Sequence, residues 1–157
     1  MNIIFDVPQI QIQNIFFLDS KKNIIMDGKF TKIIYSDDFL TTNGLYISTL
    51  FNYPIVDKLM NKNILKFSIC DKLNIKIAMG LSQIEQSIIE YYKHISNSNK
   101  TTVLSLSDNM KNGCVKLYRE YFNYNSPSKN YIIKISGVWE DQSRIGLTYK
   151  FLEALPT

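Results

Sequence analysis

The sequence predicts a mainly β domain of the α+β class with one helix. Three observations predict it. Apolar and polar residues alternate with a period of two along most of the chain; one stretch, 82–96, changes to helical spacing; and the chain closes on two long β-rich runs around a short polar loop. With 157 residues this is one domain over 1–157, without an internal repeat or linker. At that size folding buries about 70% of the unfolded surface, so the core needs no disulfide or metal to hold it.

Taken in order, Ile10, Ile12 and Ile15-Phe16-Phe17 suggest a first strand, with Gln9, Gln11 and Gln13 on its other face. Asp19 to Asn23 reads as a turn, Ile24-Ile25-Met26 as a short strand ended by Asp27-Gly28, and Phe30 to Tyr35 as a longer one. Asn43-Gly44 marks a tight turn before Leu45-Tyr46-Ile47, because both residues tolerate positive φ. Ile64, Leu65, Phe67 and Ile69 form a further strand closed by Asp71-Lys72.

The helix is expected to begin at Ser82, after Gly80. Ser82 and Glu85 have capping-box spacing, and Ile84, Ile88, Tyr91, Tyr92 and Ile95 then fall on one helical face. Ser96-Asn97-Ser98-Asn99 ends it. Thr101 to Leu106 and Cys114 to Tyr118 read as strands around a turn at Asp108 to Gly113, and Tyr121 to Pro127 as an aromatic-rich loop. The last hairpin runs from Tyr131 to Trp139 and back from Ile145 to Phe151. In its second arm Ile145, Leu147, Tyr149 and Phe151 share one face, Thr148 and Lys150 the other. Strands, a single helix, then strands ending in a hairpin is the order of an oligonucleotide-binding (OB-like) antiparallel β-barrel. A β-sandwich or jelly roll with a helical insertion is the alternative.

Composition narrows the setting. Ile, Lys, Asn and Tyr together supply 64 of the 157 residues, and Lys far outnumbers Arg, the signature of an AT-rich genome. The formal net charge of +4 and pI of about 8.9 suit an anionic partner, although lysine also serves simply to solubilise an Ile-rich chain. No apolar run reaches the roughly 18 residues of a membrane span, and Asp6 interrupts the N-terminus too early for a secretory signal. Cys70 and Cys114 are too few for a disulfide framework. An intracellular setting, host cytoplasm or nucleus, or a virion, is expected, with no membrane partner.

Catalytic signals are sparse. His94, the single histidine, sits near the helix end, where a cation is favourable. The pairs Asp37-Asp38 and Glu140-Asp141 read as turn and cap residues, because neighbouring acids on a strand point to opposite faces. Glu85 and Glu90 likewise suit the helix. No phosphate loop, nucleophile elbow or metal-ligand spacing is present, so no enzyme, cofactor or metal is expected. What survives is aromatic residues interleaved with lysines. Single-strand binding needs rings to stack bases and cations to track phosphates. The candidates are Lys29, Lys32, Lys134 and Lys150 for phosphates, with Tyr35, Tyr131, Trp139 and Tyr149 for bases. For any single ring, core burial is the commoner fate, and the alternation that buries Ile133 and Ile135 also points Trp139 inward.

Two stretches carry a resemblance: Asp27-Gly28-Lys29-Phe30 through Asn43-Gly44-Leu45-Tyr46-Ile47, and Ile135-Ser136-Gly137-Val138-Trp139-Glu140 with Gly146 to Phe151. Over about a quarter of the chain they resemble small proteins of large DNA viruses and related AT-rich elements. Such genomes encode OB-fold single-stranded DNA-binding proteins, so the resemblance implies a viral, non-enzymatic single-stranded DNA-binding protein of DNA replication that is able to form homo-oligomers. It assigns no residue a role. The acidic tail by which many replication binders recruit enzymes is not matched by Glu153-Ala154-Leu155-Pro156-Thr157. The alternative is a viral structural or assembly protein that binds itself or a protein partner.

Overall fold

The computed structural model describes residues 3–23, 27–118, 123–124 and 130–156. The elements are β1 (Ile4–Phe5), β2 (Ile15–Phe17), β3 (Lys21–Asn23), β4 (Gly28–Ser36), β5 (Thr41–Thr42), β6 (Leu45–Ser48), β7 (Ile55–Leu59) and β8 (Lys62–Lys66). There follow α1 (Lys72–Ser96), β9 (Thr101–Val103), α2 (Ser105–Asn112), β10 (Cys114–Tyr118), β11 (Asn123–Tyr124), β12 (Asn130–Glu140) and β13 (Arg144–Pro156). The expected strand Ile24–Met26 lies outside the described residues. So does the expected loop Tyr121–Pro127, apart from the backbone of Asn123 and Tyr124.

The chain is mainly β, of the α+β class. Its spine is the β12–β13 hairpin. The sheet runs β1-β6-β12-β13-β10-β8-β7, with β4 also bonded to β12 and edged by β2, β3 and β5. The pairing is mixed, since β10 and β9 both lie parallel to β13. Among the described residues no pairing joins β7 to β1, so the sheet is open and the expected barrel does not close.

One face of this sheet is covered by helix. Ile33, Ile47, Ile133, Ile135, Val138, Leu147 and Phe151 of the sheet share one core with Leu81, Ile84, Ile88, Ile89 and Tyr92 of α1 and with Leu106 and Met110 of α2. Burying an Ile-sized side chain in such a core contributes about 1.5–3 kcal/mol. Among the described residues the opposite face has only a small cluster, Tyr46, Ile132 and Leu152, flanked by Ile4 and Tyr118.

The helix starts ten residues earlier than its apolar stripe suggests. Asp71 is the N-cap, its carboxylate accepting from the Asn74 amide at 3.1 Å. Asn74 is fully buried. It accepts from the Asn52 amide and donates to the carbonyls of Asn52 and Ser68, tying the helix start to the chain on either side. Gly80 is not a breaker, because a Cβ there would lie 2.6 Å from Val7 Cγ1. Its missing side chain admits the N-terminal segment against the helix, offsetting the roughly 1 kcal/mol that glycine costs in a helix interior. Ser82 is no cap either. Its hydroxyl donates to the Ala78 carbonyl one turn back, at 2.9 Å. Ser82→Ala is therefore expected to change stability by no more than about 0.5 kcal/mol, while Asp71→Ala costs about 1 kcal/mol or more. Denaturant melts of the two variants rank them.

Three other expectations change. The segment before β2 forms two 3₁₀ turns, Val7–Gln9 and Ile12–Asn14, rather than a strand, and the supposed turn at Lys21–Asn23 is strand β3. Residues 105–112, read as strand end and turn, are helix α2. Its N-terminus has no side-chain cap of its own. Instead Glu85, fully buried on α1, accepts from the amides of Leu106 (2.9 Å) and Ser107 (2.8 Å) and from the Ser107 hydroxyl (2.6 Å). The cap reaches α2 from about three turns of α1 and a strand away in sequence, so no local pattern announces it.

Candidate nucleic-acid interface

The uncovered sheet face is defined by register, since residues directly paired across strands point to the same side. Lys134 pairs with Lys150 on β13 and with Tyr46 on β6. Between Ile135 and Gly137 the β12–β13 register slips, leaving Ser136 as the extra residue of a bulge. The slip reverses the alternation. Val138 and Glu140 now face the helix, and Trp139, paired with Gly146 and Phe30, faces out. Sequence alternation alone points Trp139 into the core; the bulge corrects that.

Trp139 is half-buried, and its ring lies across Gly146. A Cβ on Gly146 would meet Cζ2, Cε2 and Nε1 of the indole at 2.6–2.7 Å, so only glycine leaves room for the ring. A Cβ on Gly137 would meet the Thr31 carbonyl oxygen first and then the tip of the Phe30 ring, with Cζ at 2.9 Å. The Arg144 guanidinium sits 5.7 Å from the Trp139 centroid while also bonded to Asp141 at 2.7 Å. Hydrogen bonds from the Ser143 amide, then from Arg144, hold the Asp141 carboxyl below its ordinary range.

Lysines stand over two further rings of this face. Lys134 stands over Tyr46 (5.6 Å), and Lys116 and Lys150 both stand over Tyr118 (4.6 and 5.0 Å). Lys32 pairs with Gly137 on the same face and is exposed. None of the described outward positions of β4, β6, β10, β12 and β13 is acidic. Like charges directly opposite one another destabilise a sheet. Lys134 and Lys150 stand directly opposite one another, so two cations share this part of the face.

Of the residues the sequence nominates, the structure brings Lys32, Lys134, Trp139 and Lys150 together on this face. The others lie elsewhere. Tyr35 is 2% exposed on the helix side, with its hydroxyl accepting from the Gln11 amide at 3.2 Å. Tyr131 is 8% exposed in the same core. Tyr149 also faces the helix side, its hydroxyl held by Asn109 Nδ2 (2.7 Å) and Ser105 Oγ (3.2 Å) of α2. Burial pushes its phenol pKa up, and those hydrogen bonds offset part of the rise. Tyr35 and Tyr131 are buried, and Tyr149 is half-buried on the side away from Lys150. Lys29 is exposed, but its register opposite Glu140 puts it on the helix side. Phe30, Tyr46, Lys116 and Tyr118 also belong to the outer face and are not among the sequence candidates. The signal for Phe30 is present in the sequence, because it shares parity with Lys32.

The carboxylates have structural roles. Asp37 accepts from the amides of Phe39 and Leu40 in a turn. Glu140 is buried and accepts from the Tyr92 hydroxyl (2.7 Å) and Lys100 Nζ (3.2 Å). A second surface feature lies on α1, where Ile75 (40% exposed) and Met79 (59%) form an apolar ridge. Grooves of about 430 and 620 Å³ flank it. Among the described residues no helix is long and apolar enough to cross a membrane. No protein-family model, curated protein or solved structure matches the chain.

Proposed function

We propose that this is a non-enzymatic single-stranded nucleic-acid-binding protein, and that the open sheet face is its binding surface. One observation carries the reading. Lys32, Lys116, Lys134 and Lys150 share a face with the Trp139 ring across Gly146 and the Phe30 ring beside Gly137, while α1 covers the opposite face. Flat rings accept bases of any sequence, and flanking ammonium groups track the phosphates. A duplex offers no free base faces, so single strands are the preferred ligand. The AT-rich composition and the resemblance in sequence support an origin in a large DNA virus or similar element, with DNA as the strand. The barrel expectation is not needed for this reading, because an open sheet supplies the same platform.

Four phosphate contacts would give a log–log dependence of affinity on salt with a slope near −3, from about 0.7 per neutralised charge on single strands. Fluorescence anisotropy across a salt series measures it. A flat response, or tighter binding to duplex, overturns the reading.

The ridge on α1 favours a second reading, self-assembly. Ile75, Met79 and Gln83 are spaced four apart with a groove on each side, the geometry by which one helix packs its ridge into the groove of another. A two-fold pair of such helices is self-complementary. Solution mass decides it: a concentration-dependent dimer lost in Met79→Lys, with no response to oligonucleotide, would favour assembly over strand binding.

A further inference from the structure

Where β12 changes partner, the outer face has a gap. Residues 137–140 pair with β4 and residues 132–135 with β6, leaving Ser136 in neither ladder and skipped in the register with β13. A cleft of about 190 Å³ opens there, lined by Phe30, Lys32, Asn43, Gly44, Lys134 and Ser136. Its lining includes two lysines, an asparagine and a serine, and among the described residues no acid. Gly44 permits the close approach. It has φ +90°, and a Cβ would lie 3.1 Å from the Ile135 carbonyl oxygen. The space is smaller than the roughly 300–1,000 Å³ of sites for drug-sized ligands, so it suits a compact group rather than a whole nucleotide.

We infer that this cleft is a phosphate seat, in which Lys32 and Lys134 neutralise a phosphoryl group and Asn43 and Ser136 donate hydrogen bonds to its oxygens. Lysine is a point-charge partner for phosphate. The inference deepens the strand-binding reading and in part rests on it. One phosphate of the strand would anchor here, beside Phe30, and set the register of the bases passing over Trp139. The phosphate is either terminal or internal to the strand, or belongs to a free phosphate ester.

The test is an amide NMR titration of the full chain with inorganic phosphate, then with oligothymidylates carrying either a 5′-phosphate or a 5′-hydroxyl. Phosphate alone should shift the amides of Asn43, Gly44 and Ser136, and the strand should shift these together with the Trp139 indole. A stronger response to the 5′-phosphate marks a terminal seat; an equal response marks an internal one. Lys32→Gln with Lys134→Gln should weaken phosphate binding tenfold or more. Ser136→Asp, which keeps both lysines, should abolish it if the double variant folds poorly. Should the strand perturb Trp139 while the three cleft amides stay unmoved by either ligand, the seat is wrong and the strand-binding reading stands. Should phosphate move the cleft amides and the strand move nothing, the seat serves a small phosphate ester and the strand-binding reading falls. No response to any ligand overturns both.

Discussion

Glu85→Ala is expected to destabilise the fold by on the order of 4 kcal/mol. It removes the acceptor from two buried amides and one hydroxyl at the start of α2, and each buried donor left without a partner costs about 1–3 kcal/mol. Against a typical domain stability of 5–15 kcal/mol, that brings the protein close to unfolding. The carboxylate faces the positive end of α2, where the helix dipole also favours it. Glu85→Gln keeps one acceptor oxygen but turns an amide toward a donor, so it should fall between wild type and Ala. Urea melts of the three proteins give the order. Equal stability of Ala and wild type would mean that α2 is held by something other than this cap.

Ile88→Ala should cost about 2–5 kcal/mol, the range for deleting most of a large aliphatic side chain from a core that cannot collapse around the loss. Ile88 is fully buried in the middle of α1, in the same core as Ile33, Ile133 and Leu147. Ile88→Val removes one methylene and should cost only about 0.5–1.5 kcal/mol. If the alanine variant melts with the wild type, this helix face does not pack on the sheet.

Much of this architecture was readable from period and spacing. Of the expected stripe Ile84, Ile88 and Tyr92 are buried on α1, Tyr91 is half-buried and Ile95 is 55% exposed, and the closing hairpin pairs as its alternation suggests up to the bulge at Ser136. The first turns of the helix were hidden for a physical reason. Leu73, Ile75 and Ile77 alternate like a strand because this half of α1 leaves Leu73 and Ile75 exposed, and Gly80 resembles a stop until Val7 is seen against it. Helix α2 was hidden because its cap is supplied by Glu85 from another element.

The candidate interface was half legible. Tyr149 shares parity with Ile145, Leu147 and Phe151, so alternation alone places it with the core and not beside Lys150 on a binding face. The same parity separates Tyr35 from Lys32 and Tyr131 from Lys134. Trp139 is the reverse case. Its outward position depends on the bulge at Ser136, and the sequence clue was the glycine that follows, since glycine inside a strand marks a bulge or a close approach. Phe30 beside Gly137 and Trp139 across Gly146 also shield those glycines. Aromatic cover of this kind contributes to sheet stability whether or not a strand binds, so a loss of stability in Trp139→Ala does not bear on binding.

The central claim, that the open sheet face receives single-stranded nucleic acid, is tested most directly by the fluorescence of Trp139, the sole tryptophan, titrated with a single-stranded oligonucleotide at low salt. Stacking on a base predicts saturable quenching that salt reverses, and an affinity loss of about 1–3 kcal/mol in Trp139→Ala. Unchanged emission through the titration, with the protein folded and the oligonucleotide in excess, would contradict it.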